Sequence, residues 1–338
     1  MPELAESLEE AGRSGGAALR DGPLAKAALA YLEASGGLVT ADDLARYRVI
    51  ERAPLEVDYR DLTVLTNPPP SSGGVLIAAA LRTLGGERPP RGDLAHYRAI
   101  ARAGAVANAL RDERFARELG EEDFLERFWA RVASGTAGPP PDGGDRRPLG
   151  STTHVSAIDA EGGMASCSSS NGSGSGVVVP GTGILLNNML GEEDLNPGGF
   201  GGGEPGARMT SMMAPTVVLR GGEPRVALGS AGSNRLRSAI LQTLVSAVDG
   251  GLDPEAAVRR PRVHPEGDGV DVEGGVPEEV AAALEADGHR LRRWSGLNLF
   301  FGGVSMAART GGIVAGAGDP RRAGGAAGVT RAGEVVAL

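Results

Sequence analysis

The residues best placed to do chemistry sit at one junction. A Pro- and Gly-rich run, Ser134 to Gly150, leads directly into Ser151-Thr152-Thr153-His154, where alternation predicts the first strand of the second part of the chain. If the peptide bond before Thr152 breaks, Thr152 becomes an N-terminal residue carrying both a hydroxyl and an α-amine. A free α-amine has a pKa of about 7.7–8.0, so near neutrality it can take a hydroxyl proton that an internal threonine would keep. Threonine served by its own amine is a recognised activated nucleophile. Thr-Thr-His is equally a plain strand start, so the junction alone leaves both readings open.

Other reactive side chains offer less. Cys167 is the single cysteine, which excludes an intramolecular disulfide and a cysteine-rich metal site. It has no basic neighbour in sequence and reads as a buried strand residue rather than a nucleophile. His96, His154, His264 and His289 are far apart, with no H-x-x-x-H spacing for zinc. His154 shares the Thr152 side of its strand and reads as a packed histidine. Gly172-x-Gly174-x-Gly176 lacks the strand and helix that a dinucleotide fingerprint requires. No metal and no organic cofactor are expected.

The elements that must position Thr152 are legible in outline. Met1 to Arg20 is acidic and helical in pattern, and Pro23 to Ala34 is a helix ended by Gly36-Gly37. Thr40 caps a short helix through Asp43 to Tyr47. Leu55, Val57 and Tyr59 alternate, Arg60-Asp61 turns, and Leu62 to Leu65 returns as a hairpin. Asn67-Pro-Pro-Pro-Ser-Ser-Gly-Gly74 is an extended run ending at a helix N-cap. Val75 to Leu84 and Leu94 to Leu119 read as buried, Ala-rich helices. After the linker at 134–151 the pattern turns to strands: Thr153 to Ile158, a turn at Ala160 to Gly163, then Ala165 to Ser170. Further strands are expected at 183–187, 216–219, 225–228, 302–307 and 313–317, with helices at 234–248 and 277–286. The layout predicts an α+β fold with layered sheets.

Composition narrows the function classes. The 338 residues carry 34 basic and 43 acidic side chains, a net charge of −9, and no cationic run that could track a phosphate backbone. Nucleic-acid binding is therefore not expected. With 41% apolar residues, 54 glycines and 22 prolines, the chain is globular and loop-rich. No stretch of about 18 apolar residues predicts a membrane span. The first 20 residues lack a signal-peptide pattern, which reads as cytoplasmic.

Six motifs carry a resemblance. Gly37-Leu38-Val39-Thr40-x-x-Asp43-Leu44, Asn67 to Gly74, Thr152-Thr153-His154-Val155-Ser156, Gly183-Ile184-Leu185-Leu186-Asn187-Asn188, Thr210-Ser211-Met212-x-x-Pro215-Thr216 and Gly229-Ser230-x-Gly232 stand in the order seen in γ-glutamyltranspeptidases. The chain resembles that family from about Leu4 to Ala332. The resemblance implies an N-terminal-nucleophile hydrolase fold, a four-layer αββα sandwich. It implies a precursor cleaved between Ser151 and Thr152 into 1–151, the later part of a large subunit, and 152–338, the small subunit. The two products would stay together as a heterodimer.

The resemblance also implies roles. Thr152 is similar to the nucleophile, and Ser169 to the hydroxyl bonded to it. Gly232 and Ser233, at a strand-to-helix turn, resemble the oxyanion donors. Asn171, Glu192, Thr210 and Ser211 resemble the residues that hold the substrate's α-carboxylate and amine. Compared with the family, the sandwich is expected to be incomplete at the N-terminus, and any export signal would lie in that portion. The family's carboxylate-binding arginine has no counterpart to carry over. The implied activity is γ-glutamyl transfer or hydrolysis on glutathione and related amides, with water or an amine as acceptor. Two alternatives stand beside it. One is a related acylase acting on another amide, such as a β-lactam side chain, prompted by Met189 where a polar residue is usual. The other is a non-catalytic fragment.

Overall fold

In the computed structural model, residues 1–85, 92–135, 152–192, 195–196, 201, 204–330 and 332–337 are described. Ser151, most of the predicted linker, and Glu193 and Asp194 beside Glu192 lie outside them. Four helices open the chain: α1 (Pro2–Arg13), α2 (Ala17–Arg20), α3 (Pro23–Ala34) and α4 (Ala41–Arg46). The predicted N-terminal helix is split by Gly15 and Gly16, at φ 58° and 85°, a left-handed region glycine enters at little cost. Thr40 and Asp43 form a reciprocal capping box on α4.

Strands β1 (Leu55–Tyr59) and β2 (Leu62–Thr66) form the expected hairpin. Helices α5 (Ser72–Leu84), α6 (Asp93–Leu110), α7 (Glu113–Glu118) and α8 (Phe124–Ser134) follow. The single helix expected over 94–119 is two, because the Asp112 carboxylate accepts from Phe115 N–H at 2.8 Å and starts α7 afresh. The Ser71-Ser72-Gly73-Gly74 start of α5 is held against another chain segment. Ser72 and Gly73 N–H groups donate to the Ser211 carbonyl at 2.9 and 3.2 Å, and a Cβ on Gly73 would collide with the Met212 carbonyl.

The remainder supplies β3 (Thr152–Ile158), β4 (Met164–Ser170), β5 (Val178–Val179), β6 (Ile184–Leu185), β7 (Thr216–Arg220) and β8 (Glu223–Ala231). Then come α9 (Arg235–Val248), α10 (Pro254–Arg259), β9 (Val263–Glu266), β10 (Gly269–Val272), α11 (Glu278–Ala286) and β11 (Arg290–Arg293). The chain ends with β12 (Gly303–Thr310), β13 (Ile313–Gly318), β14 (Ala327–Val329) and β15 (Val335–Ala337).

The central sheet has six strands in the order β1-β2-β7-β8-β12-β13, all antiparallel. Two strands come from before the predicted cleavage point and four from after it, joined by β2–β7 pairing of Thr63, Val64 and Leu65 with Leu219, Val218 and Val217. One face is covered by α5 and α9, with α6 packed outside them. Val64, Leu76, Leu81, Val218, Leu228, Leu244 and Val304 are fully buried there. Burying such a side chain contributes about 1.5–3 kcal/mol.

A smaller sheet, β11-β10-β9, flanks the helices. His264 on β9 links the Ser238 hydroxyl of α9 (2.7 Å) to the Glu266 carboxylate (2.8 Å). Burial alone would raise the Glu266 carboxyl, but His264, Arg237 and Arg235 outweigh it and hold the acid ionised. The opposite face of the six-stranded sheet is covered by the β3–β4 hairpin, which stacks on β7, β8 and β12.

Candidate active site

Alternation gives the hairpin a sheet-facing side and an outer side. Thr152, His154, Ser156 and Ile158 on β3 stand opposite Ser170, Ser168, Ser166 and Met164 on β4, and these are the better buried positions of each strand. Thr153, Val155, Ala157, Ala165, Cys167 and Ser169 are exposed. Cys167 is therefore an exposed thiol, not the buried strand residue the sequence suggested; it pairs with Val155 on the outer side.

Polar contacts fix the hairpin on the sheet. The Ser166 hydroxyl donates to Leu228 O (2.9 Å) and accepts from Thr216 N–H (3.0 Å). Ser156 donates to Ser305 O (3.1 Å), and Ser305 donates to His154 O (3.2 Å). The imidazole of His154 packs so closely over Gly229 that a Cβ there would overlap the ring. Its Nδ1 is 2.7 Å from Ser168 Oγ and its Nε2 3.0 Å from Ser156 Oγ. Burial pushes its pKa down to about 4, so it is a neutral, packed side chain near neutrality.

These contacts place Thr152. Ser166 lies at Leu228 and His154 at Gly229, and Thr152 with Ser170 is the next sheet-facing pair along the hairpin. Thr152 Oγ1 is 3.0 Å from Ser170 Oγ. The hydroxyl beside Thr152 is thus Ser170. Ser169, the expected partner, pairs with Thr153 and faces outward, because the antiparallel register puts Ser170, not Ser169, opposite Thr152.

From Ser170 a chain of contacts runs to the other expected residues. Ser170 Oγ accepts from Gly172 N–H at 3.1 Å, and the next N–H, of Ser173, donates to both Asn188 Oδ1 (2.7 Å) and Glu192 Oε1 (2.9 Å). Glu192 is thereby held at the Asn171–Ser173 turn, while Asn171 donates to Leu185 O at 3.3 Å. Leu195 N–H donates to Glu192 O, and the Thr210 hydroxyl donates to Leu195 O at 3.1 Å. Ser211 sits apart from this chain: its hydroxyl accepts from Met213 N–H, and its carbonyl receives the start of α5. Asn188, which the sequence reading quoted only within the Asn187-Asn188 motif, joins this turn through its Oδ1.

Gly232 and Ser233 join β8 to α9. Gly232 has φ 132° and Ser233 φ 52°, so Ser233 takes a left-handed conformation that costs a non-glycine residue roughly 1–2 kcal/mol. Among the described residues no cluster of three or more His, Cys, Asp or Glu could hold a metal ion, and no helix is long and apolar enough to cross a membrane.

A helix layer, a shared antiparallel sheet and a second layer of strands opening on a threonine define an N-terminal-nucleophile hydrolase fold. A solved cephalosporin acylase from Bacillus halodurans superposes with a TM-score of 0.78 over 99% of this chain and 62% of its own, at 26% identity. The sequence profile described as Gamma-glutamyltranspeptidase matches residues 1–329. Among curated relatives, Acylase ACY 1 proenzyme of Pseudomonas sp. (strain V22) is 35% identical over 310 residues, and Glutathione hydrolase proenzyme of Escherichia coli (strain K12) is 31% identical over 322. These alignments cover 86% and 85% of this chain and 55% of each relative, so the chain spans about half the length of the curated relatives it matches. The chain belongs to the γ-glutamyltranspeptidase family.

Proposed function

We propose that this chain transfers or hydrolyses the acyl group of a γ-glutamyl amide, glutathione among them, through Thr152 freed as the first residue of 152–338. The observation that carries the reading is the Thr152 Oγ1–Ser170 Oγ contact at 3.0 Å, at the opening of β3 where Thr152 stands opposite Ser170. In the intact chain Thr152 Oγ1 attacks the Ser151 carbonyl carbon. The peptide C–N bond breaks, the acyl group moves from nitrogen to oxygen, and water hydrolyses the ester. The amine so exposed then takes the Thr152 hydroxyl proton as the oxygen attacks a substrate amide.

Ser170 holds Thr152 Oγ1 in position, and the Gly232 and Ser233 N–H groups, at the positive start of α9, receive the oxyanion. The leaving amine departs with a proton, and water or an acceptor amine releases the acyl group from the ester. Glu192, fixed at the Ser173 N–H, meets the substrate's amine, with Asn171, Thr210 and Ser211 on its carboxylate. Nucleophile, base and oxyanion donors all belong to the chain, so the scheme calls for no metal or cofactor. After cleavage, β2–β7 pairing and the shared core would keep 1–151 and 152–338 together as a heterodimer.

A second reading keeps the chemistry and changes the amide. Met189 follows Asn188 at the turn that holds Glu192, which weakens the case for an amine-bearing acyl group, and the relatives include proteins named acylases. Hydrolysis of L-γ-glutamyl-p-nitroanilide and of glutaryl-p-nitroanilide separates the two, since they differ only in the α-amine. Preference for the first supports the γ-glutamyl reading. Preference for the second supports the acylase reading and overturns the first.

A further inference from the structure

The turn between β8 and α9 rests on a segment held by buried charge. A Cβ on Gly232 would stand 2.9 Å from Gly302 Cα, and a Cβ on Gly302 would stand 3.0 Å from Ala231 O and 3.1 Å from Ser230 Oγ. Glycines at φ 132° and 75° permit that approach, which seats the Ala231–Gly232 backbone directly on Gly302.

One guanidinium holds the seat. Arg262 precedes β9, and its Nη1 donates to both Phe301 O (3.0 Å) and Gly302 O (3.1 Å). Its Nη2 donates to Val258 O at 3.0 Å and to Asp319 Oδ2 at 2.6 Å. The same carboxylate oxygen accepts from Val304 N–H at 3.0 Å. Residues 301–304 are thus gripped at two carbonyls by Arg262 and at one amide by Asp319, and the two grip each other.

Two more charges complete the set. Arg321 pairs with Asp319 Oδ1 at 3.1 Å and with Glu273 at 2.6 and 2.7 Å, while Glu273 accepts from Arg262 N–H at 2.9 Å. Two cations and two anions are buried here, none more than 2% exposed. Buried charges lose hydration that pairing barely repays, and apolar residues of like volume often hold a fold as well. Cohesion alone therefore does not account for the set. What it adds over an apolar plug is direction, since a planar guanidinium fixes distance and angle at each acceptor.

We propose that Arg262 and Asp319 are positioning residues of the Thr152 site, clamping Phe301 to Val304 so that Gly302 seats the Gly232–Ser233 turn. This rests on the reading above, in which the N–H groups of that turn receive the oxyanion. Arg262 and Asp319 are buried and act through Gly302, not on the substrate. An oxyanion donor slightly out of place stabilises the transition state less and leaves substrate binding unchanged.

The test uses Arg262→Lys, which keeps the charge balance and loses the planar fork. On the anilide that the parent hydrolyses, kcat per cleaved chain should fall about 10- to 100-fold, with KM within about twofold. Amide hydrogen exchange reads the turn without catalysis, because Arg235 and Leu236 N–H donate to Gly232 O and Ser233 O at 3.2 and 3.0 Å. Those two amides should exchange about tenfold faster in the variant, with the β1–β2 amides unchanged. Gly302→Ala keeps every charge and presses its Cβ on Ala231 O. It should act on kcat and on the same two amides in the same way, and it decides the matter if Arg262→Lys does not fold. Faster exchange confined to the turn supports the clamp even where the parent hydrolyses no anilide, and then only the Thr152 reading falls. Unchanged exchange in a folded variant, faster exchange that extends to β1–β2, or an unchanged kcat in an active enzyme overturns the proposal.

Discussion

The two faces of the six-stranded sheet are built from different chemistry. Toward α5 and α9 it presents Val64, Val218, Leu228 and Val304, closed off from water by Leu76, Leu81 and Leu244. Toward the β3–β4 hairpin it meets the side bearing His154, Ser156, Ser166, Ser168 and Ser170, and the hydroxyls of Ser156, Ser166 and Ser305 join hairpin to sheet by side-chain-to-backbone hydrogen bonds. Apolar burial is non-directional and tolerates shifts, whereas hydrogen bonds fix distance and angle. The same sheet therefore takes cohesion from one side and positioning from the other, and Thr152 lies on the positioning side.

Leu76→Ala, on the cohesive side, probes the contrast hardest. It should cost about 2–5 kcal/mol in denaturant unfolding, with any cleavage at Thr152 retained under native conditions. Loss of cleavage in a folded variant would show that the two faces are not separable.

Acid should act through the other face. His154 titrates at about 4 when folded against 6.5 as a free group, so the unfolded chain binds the proton more readily. That stability is complete above about pH 6.5, weakens as pH falls, and by pH 5 has lost about 2 kcal/mol. Buried His96, held down at about 3 by burial and then by Arg260, adds to the same trend from the helix side. Melting temperatures from pH 7 to 5, compared between the parent chain and His154→Asn, measure the hairpin's share. An identical pH slope in the two would remove His154 from the account.

The smallest expected effect is Ser233→Gly. Glycine relieves the left-handed backbone at φ 52° and should raise stability by up to about 1 kcal/mol, read as a higher melting temperature. A lower melting temperature would mean that the Ser233 side chain contributes more than its backbone costs.

The cohesive face was the more legible in sequence. Alternation at Leu55, Val57 and Tyr59 and the apolar runs of α5 and α9 record burial directly in residue type. The positioning face is written in serines, and residue type does not tell which serine faces inward. The resemblance points to Ser169, and only the register Thr152↔Ser170 shows that Ser170 is the serine beside Thr152. The β9–β11 sheet went unread because its four-residue strands hold Arg, Pro and Gly and lean on ion pairs such as Arg292–Asp271 at 2.8 Å. Helix α8 was also passed over, although Phe124 and Phe128 stack at 5.3 Å.

The central claim concerns a single bond, the one that precedes Thr152. Intact mass and N-terminal sequencing of the purified chain, beside its Thr152→Ala variant, test it most directly. The account predicts two polypeptides from the parent, one ending at Ser151 and one beginning Thr152-Thr153-His154, and one unbroken chain from the variant. A folded parent that stays in one piece, or a variant cut at the same bond, would contradict it.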